Sequence, residues 1–321
     1  MPAPTTSGTS NNYSRSAVQK LDRHNFDFKL NYNRSSSHQI WAKYSQMNAD
    51  SLGEFFLGEA GGPCVCQGGG SGTASVDVRL VSAGHTWTLG PNWLLDGHFG
   101  FSDHDQAVRG PDYGQNFGLE VLGIPGTNGP DPRQGGKPQF QITGYTELGN
   151  AENWSPIFRN EHVYTVNSSL THIRDKHEIK LGFDIVRMEL NAWQPEIGAG
   201  PRGRFSFTGS ATALRGGAAP NQFNAFADFL LGLPISMEKS LQYELLTGRE
   251  WQMGFYLRDR WQVSRSVTLS AGLRFEHYPL MTRQDRGIEI YDFNTDMLRV
   301  GGRGNNPEDL GIPGTNGPDP R

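Results

Sequence analysis

From Asn25 the chain alternates. Phe26, Phe28, Leu30 and Tyr32 fall on one side and Asn25, Asp27, Lys29, Asn31 and Asn33 on the other, the period of two expected of a strand with one apolar face. The turn 34–37 follows. Ile40, Ala42 and Tyr44 then alternate with Gln39, Lys43 and Ser45, with Trp41 on the polar side, which predicts a hairpin. Three more hairpins have the same form. His85, Trp87 and Leu89 lead into the turn 90–92, and Trp93, Leu95, Phe99 and Phe101 continue opposite Asp96, His98 and Ser102. Tyr164, Val166 and Leu170 precede the turn 174–176; Ile179, Leu181, Phe183 and Ile185 follow, opposite Glu178, Lys180 and Asp184. In the last, Trp251, Met253, Phe255, Leu257, Trp261 and Val263 oppose Glu250, Gln252, Tyr256, Arg258, Arg260 and Gln262. After a tight turn at Ser264–Arg265, Val267, Leu269, Ala271, Leu273 and Phe275 oppose Thr268, Ser270, Arg274 and Glu276.

The turns within hairpins are short, but the connections between them are long: roughly 48–73, 107–158 and 191–234. Compact soluble domains usually join their elements through about 4–6 residues. Short turns alternating with long loops, on strands long enough for the ~9–11 residues of a tilted membrane crossing, predict an outer-membrane barrel. The expected fold is all-β: an antiparallel transmembrane β-barrel fragment of about nine or ten strands with long extracellular loops. Lipid contacts the aromatic and aliphatic face, and Tyr32, Trp87, Trp93, Trp251, Trp261 and Tyr278 supply interfacial girdles. A soluble β-sandwich alternates in the same way; the loop lengths favour the barrel.

Composition sharpens this. Hydrophobic residues are 36% of the 321, yet aromatics are 11%, with 41 Gly and 19 Pro. Low hydropathy with abundant aromatics suits a sheet with water on one face and lipid on the other. The net charge of −4 gives no basis for nucleic-acid binding. The first residues, MPAPTTSGTSNNYS, have neither the basic nor the apolar region of a secretion signal, and no run of about 18 apolar residues predicts a membrane helix.

Several stretches resemble one family. GFYLRDRWQVSRSVTLSAGLRFEHYPL, HEIKLGFDIVRMELN, FADFLLGLP and LDRHNFDFKLNYNRSSSHQIWAKYS are similar to strands of TonB-dependent outer-membrane receptors, closest to the Oar-like, carboxypeptidase-regulatory-like subgroup abundant in Acidobacteria. The resemblance spans about residues 12–309; the pair around 254–276 is its most specific part. It implies uptake of a large nutrient (a saccharide, peptide or metal chelate) in the cell outer membrane, with a plug domain and TonB as partners through parts of the parent chain not seen here. The chain reads as a middle slice of the family's 22-stranded barrel. A secreted or surface β-rich binding or adhesion protein without transport is the competing reading.

LGIPGTNGPDPR occurs twice, at 122–133 and at 310–321. A jump between two short matches in a longer gene is the expected origin of the second copy; duplication of a real loop is the alternative. The expected organisation is an irregular segment 1–22, a partial barrel 23–300 and an irregular tail 301–321. The first copy has neighbours able to hold it, so it should be the better ordered. With the four turns placed on the periplasmic side, parity demands an even number of crossings between 177–189 and 250–263; 235–247 and a strand beginning at Gly203–Thr208 are expected to provide them, with a helix-like NAFADFLLG on the turn side.

Chemistry is sparse. No catalytic motif of the serine, zinc-hydrolase or cysteine type is present, and neither a cofactor nor a metal site is expected. Cys64 and Cys66 offer only two ligands, with no further His or Cys pair at zinc spacing; they read as loop cysteines. Asp103, His104 and Asp105 read as a solvated rim, and His172 and His177 flank a turn. Within the resemblance, ligand contacts fall on the loop aromatics Tyr113, Tyr145, Trp154 and Trp193, and the inward Arg258, Arg260, Arg274 and Glu276 face the lumen and its plug.

Overall fold

The computed structural model describes residues 1–8, 10–66, 70–195, 198–240, 245–284, 289–294, 297–300 and 312–313. Eight long strands form an antiparallel meander: β1 (Lys20–Ser35), β2 (His38–Phe55), β3 (Gly72–Gly90), β4 (Trp93–Arg109), β5 (Ile157–Arg174), β6 (His177–Trp193), β7 (Leu246–Gln262) and β8 (Thr268–His277). Cys64–Val65 pairs with the end of β2 and makes a ninth strand. The sheet is therefore antiparallel and matches the expected class. No helix among the described residues is long and apolar enough to cross a membrane.

Register follows the alternation of the sequence. One row of paired residues runs Phe28–Tyr44–Val81–Phe101–Tyr164–Arg187–Trp251 across the sheet. Below it, towards the turns, the same face carries Phe99, Val166, Ile185 and Met253. At the turn end Trp87 stacks on His38 at 4.8 Å, Trp93 on His172 at 3.9 Å and Trp261 on His177 at 5.5 Å. Trp251 and Trp261 thus mark two edges of an apolar belt. About ten residues separate them, ~34 Å of strand, which tilts to a height near 24 Å, close to the ~25 Å of a membrane barrel's outer band. Two residues above the upper aromatic row the outward face turns polar: Gln46–Arg79–Asp103–His162–Glu189–Arg249. The apolar set is fixed to one face because a one-residue slip would turn every side chain over.

The strands run longer than a crossing needs, 18 residues in β2 and 19 in β3. Tight turns join β1–β2, β3–β4, β5–β6 and β7–β8 at one end; Asp175, at φ 54°, takes the left-handed position in its turn, which Asp tolerates better than most residues. The long connections gather at the other end. Within them Arg204–Phe207 pairs in parallel with Gln139–Ile142 and antiparallel with Ser236–Glu238. Helix α1 (Gln222–Leu230) packs on this small sheet. Its N-terminus is closed by a reciprocal cap: Asn221 Oδ1 accepts from the amides of Phe223 and Asn224, while Asn224 Oδ1 accepts from the Asn221 amide. Ile142, Phe205, Phe207 and Ala225 form the module's apolar core, with Phe140 and Phe229 against it.

Three sequence expectations change here. A strand is present at 204–207, but it belongs to the loop module; β6 pairs directly with β7, so no strand of the sheet lies between them, and among the described residues neither 203–208 nor 235–240 spans it; of the expected crossing 235–247, residues 241–244 lie outside the described residues. Zero is an even number, and the parity rule holds without those segments. The FADFLLG segment is helical as far as Leu230, as expected, but lies at the loop end and not the turn end, because Phe229 packs against Phe140, Phe207 and the core that holds Phe205, all of them loop residues. Regular structure begins at Lys20, slightly before the expected 23. In the first copy of the repeat, Asn128 Nδ2 donates to the carbonyls of Gln134 and Gly136, its Oδ1 accepts from the Leu119 amide, and Thr127 is buried. Of the second copy only Ile312–Pro313 is described, paired with Met297–Leu298 in a separate small sheet; the rest of the expected tail lies outside the described residues.

Candidate functional site: a loop module above a charged sheet face

The face of the meander opposite the apolar belt is a ladder of charge. Arg274 Nη1 lies 2.9 Å from Asp184 and its Nε 2.6 Å from Glu276. Arg258 donates to Glu178 at 2.8 Å, and Arg260 approaches the same carboxylate at 3.7 Å. Arg258, Arg260, Arg274 and Glu276 therefore share one face, as their alternation predicts, with Lys180 and Tyr256 between them. These groups are solvent-accessible on the open sheet, so they form a wettable wall able to engage a polar partner. His177 also finds a carboxylate, Asp259, at 2.7 Å, on the outward face. Asp103, His104 and Asp105 do not act as a cluster: alternation sends Asp103 outward to His162 at 3.2 Å and Arg79 at 3.5 Å, while His104 lies on the opposite face.

The four loop aromatics separate into two kinds. Trp193 is 1% exposed; the Arg133 guanidinium lies over its ring at 4.5 Å and Phe158 packs at 6.4 Å. It offers no face to a ligand in this arrangement. Trp154 packs against Ala74, Val108 and Ile157, a small core at the root of the loops. Tyr113 is half-buried between Arg109 at 5.8 Å and Phe158 at 6.0 Å. Tyr145 is 39% exposed beside Phe226. Tyr113 and Trp193 meet through Phe158; Tyr145 belongs to the α1 cluster, and the structure does not gather the four into one pocket.

The polar centre of the module was invisible in the sequence. Arg202, almost wholly buried, donates from Nη1 to the Ser155 carbonyl at 2.9 Å and from Nη2 to the Glu152 carbonyl at 2.6 Å. Burial pulls its pKa down to about 10, against the opposing attraction of Asp112 and Glu152, so it stays charged at neutral pH. Asp112 accepts from the Lys137 amide at 2.7 Å, and the Lys137 ammonium lies 3.5 Å away. The Glu152 carboxylate accepts from the Ser71 amide at 2.8 Å and from its hydroxyl at 3.2 Å; burial nevertheless raises its pKa. No spacing rule links positions 71, 112, 152 and 202, which only the folding of three separate loops brings together. Asp228 of α1 accepts from the amides of Ala211 and Thr212 at 3.2 and 2.9 Å.

A two-faced antiparallel sheet with a membrane-height apolar belt defines a class, and comparison agrees with it. The sequence matches the outer membrane beta barrel domain family over residues 1–321. The chain belongs to that family, and its place is the outer membrane. No protein of curated function matches it. Among solved structures it is similar to the ferripyoverdine receptor of the outer membrane of Pseudomonas aeruginosa (12% identity, TM-score 0.43, covering 83% of this chain and 32% of the receptor). It is also similar to the ferric-catecholate import receptor Fiu of E. coli (11%, 0.43, 81% and 34%) and to the outer membrane transporter YddB of Escherichia coli (10%, 0.31, 80% and 34%). The chain spans about a third of the length of these proteins.

Proposed function

We propose that this chain is the part of a TonB-dependent outer-membrane receptor of the Oar-like subgroup that supplies one wall of the barrel and an extracellular loop module, and that the parent takes up a large nutrient: a saccharide, peptide or metal chelate. The observation that carries the reading is the hairpin β7–β8. The stretch with the most specific resemblance to the family folds as two antiparallel strands, with Phe255 opposite Phe275 and Leu257 opposite Leu273, the arrangement expected of a barrel hairpin. Arg258, Arg260, Arg274 and Glu276 then face the plug, whose motion under TonB opens the path. Tyr113 and Tyr145, which keep exposed ring area, stack on the nutrient; Trp154 and Trp193 hold the loops that present them.

The test is energy-dependent uptake by the parent receptor expressed in a Gram-negative host. Accumulation of a nutrient that stops when TonB is depleted supports the reading. Binding to the cell surface with no TonB-dependent accumulation would instead favour a surface binding or adhesion protein.

A further inference from the structure

Cys64 and Cys66 are joined in a disulfide. In sequence they form only half of a metal-ligand set. Folding adds a third donor: the two sulfurs and a carboxylate oxygen of Glu152 all lie within 4.8 Å of one another. Glu152 is held by Ser71, whose amide donates to both carboxylate oxygens at 2.8 Å and whose hydroxyl donates to Oε1 at 3.2 Å. Two glycines keep the space open. A Cβ on Gly53 would come 2.4 Å from the Gly70 carbonyl oxygen, 3.0 Å from Cys66 Cβ and 3.1 Å from Cys64 Sγ; a Cβ on Gly70 would come 2.7 Å from both Glu152 Oε2 and the Trp154 ring. Gly70 also sits at φ +78°, where side chains are disfavoured. The cysteines are half-exposed, and the carboxylate is buried.

We propose that reduction of the Cys64–Cys66 bond converts this corner into a binding site for a borderline-soft divalent cation of the zinc type, held by two thiolates and the Glu152 carboxylate. A small-molecule thiol or phosphine supplies the two electrons. The Sγ–Sγ bond breaks and two protons complete the thiols; a pair of small thiols leaves as its disulfide, giving up those protons, or a phosphine takes oxygen from one water, whose two protons go to the thiols, and leaves as the phosphine oxide. Cation binding then releases both thiol protons to solvent. Two sulfurs and one oxygen make a three-ligand zinc set, leaving the fourth tetrahedral position for water. The oxidised form has no thiolate to offer, so the site is open only under reducing conditions.

The full chain, folded in detergent, is titrated with Cd²⁺ alone and with Zn²⁺ alone, before and after phosphine reduction. The reduced chain should bind one ion, with a thiolate-to-cadmium ultraviolet band, and the oxidised chain none. Cys64→Ser and Cys66→Ser should each abolish the band; Glu152→Gln should keep it but weaken binding at least ~10-fold, since even supporting groups around a metal are worth about that much. Because Glu152→Gln also alters the anchor to Ser71, a second measurement uses the unaltered chain: Zn²⁺ should slow alkylation of both reduced cysteines. No saturable binding after reduction, the same band in a single-serine variant, unchanged affinity in folded Glu152→Gln, or alkylation indifferent to Zn²⁺ would each overturn the assignment.

Discussion

Trp193→Ala separates packing from ligand contact at a residue whose sequence setting suggested the latter. A tryptophan side chain carries roughly 150–250 Å² of surface, nearly all of it hidden here. At about 25 cal/mol per Å² that is ~4–6 kcal/mol, an upper bound because the unfolded chain already hides part of it. Measured Trp→Ala losses in cores run about 3–5 kcal/mol. The loss should be local, because Trp193 ends β6 while its partners Arg133 and Phe158 lie in the loop 110–156 and at the start of β5. Hydrogen exchange on the folded chain should therefore show a fall in protection at 130–136 and 157–160, by a factor equivalent to ~3 kcal/mol or more, with the middle of β5 and β6 unchanged. Trp193→Phe should lose markedly less, and Arg133→Ala should lose the ~0.5–2 kcal/mol of a cation–π contact together with its ion pair to Asp131. Protection in Trp193→Ala within ~0.5 kcal/mol of the unaltered chain, the range of an inconsequential surface change, would refute the reasoning and return Trp193 to the ligand-facing set.

Gly149 sits at φ +74°, and a Cβ there would lie 1.8 Å from the Pro138 carbonyl oxygen; Gly149→Ala should destabilise the loop module by more than ~1 kcal/mol, read as faster proteolysis of 139–150 than of β3. The Asp131 carboxyl is held below its usual 3.8 chiefly by the hydrogen bond from the Arg133 side chain, against a smaller opposing effect of burial. Its folded pKa is the lower one, so its contribution is present above the ordinary carboxylate range and lost as pH falls through it. Proteolysis of 126–136 should accelerate from roughly pH 5 downward, and Asp131→Asn should flatten that limb. β1 and β8 are exposed along their whole length and do not pair with each other; unsatisfied backbone groups cost several kcal/mol each in lipid. The isolated chain should therefore give no single-channel conductance as a purified monomer, and a stable monomeric pore would contradict the open sheet.

The sheet was legible because one physical rule governs every residue of it. A face that meets lipid and a face that meets water force a period of two, and Phe26 to Tyr32 or Trp251 to Leu257 show it without any partner being known. The loop module obeys no such rule. Phe205 and Phe207 alternate like a crossing strand, yet their strand is four residues long and its partner begins at Gln139. Trp193 looked like an exposed loop aromatic because the Arg133 guanidinium that covers it is sixty positions away. Glu152 carried no signal near the cysteines, and Arg202 none near Asp112. Long-range contacts between irregular segments leave no periodic trace, so the centre of the module emerges only from the folded chain.

The charged row above the upper aromatics has a mechanical consequence. Sinking the sheet by one two-residue step would carry Arg79, Asp103, His162 and Glu189 into the upper edge of the hydrocarbon. Lifting it by the same step would pull the Trp87, Trp93 and Trp261 stacks off the lower boundary. Charges on a barrel's lipid face cost almost nothing at the interface and ~2–4 kcal/mol for Arg or Lys at mid-depth, so the penalty climbs with each step in that direction. The two rows together act as a depth gauge, holding the strands at one height whatever their length. The surplus strand above them becomes a fixed stalk that carries the loop module clear of the headgroups, at a distance from the membrane set by the chain and not by the lipid.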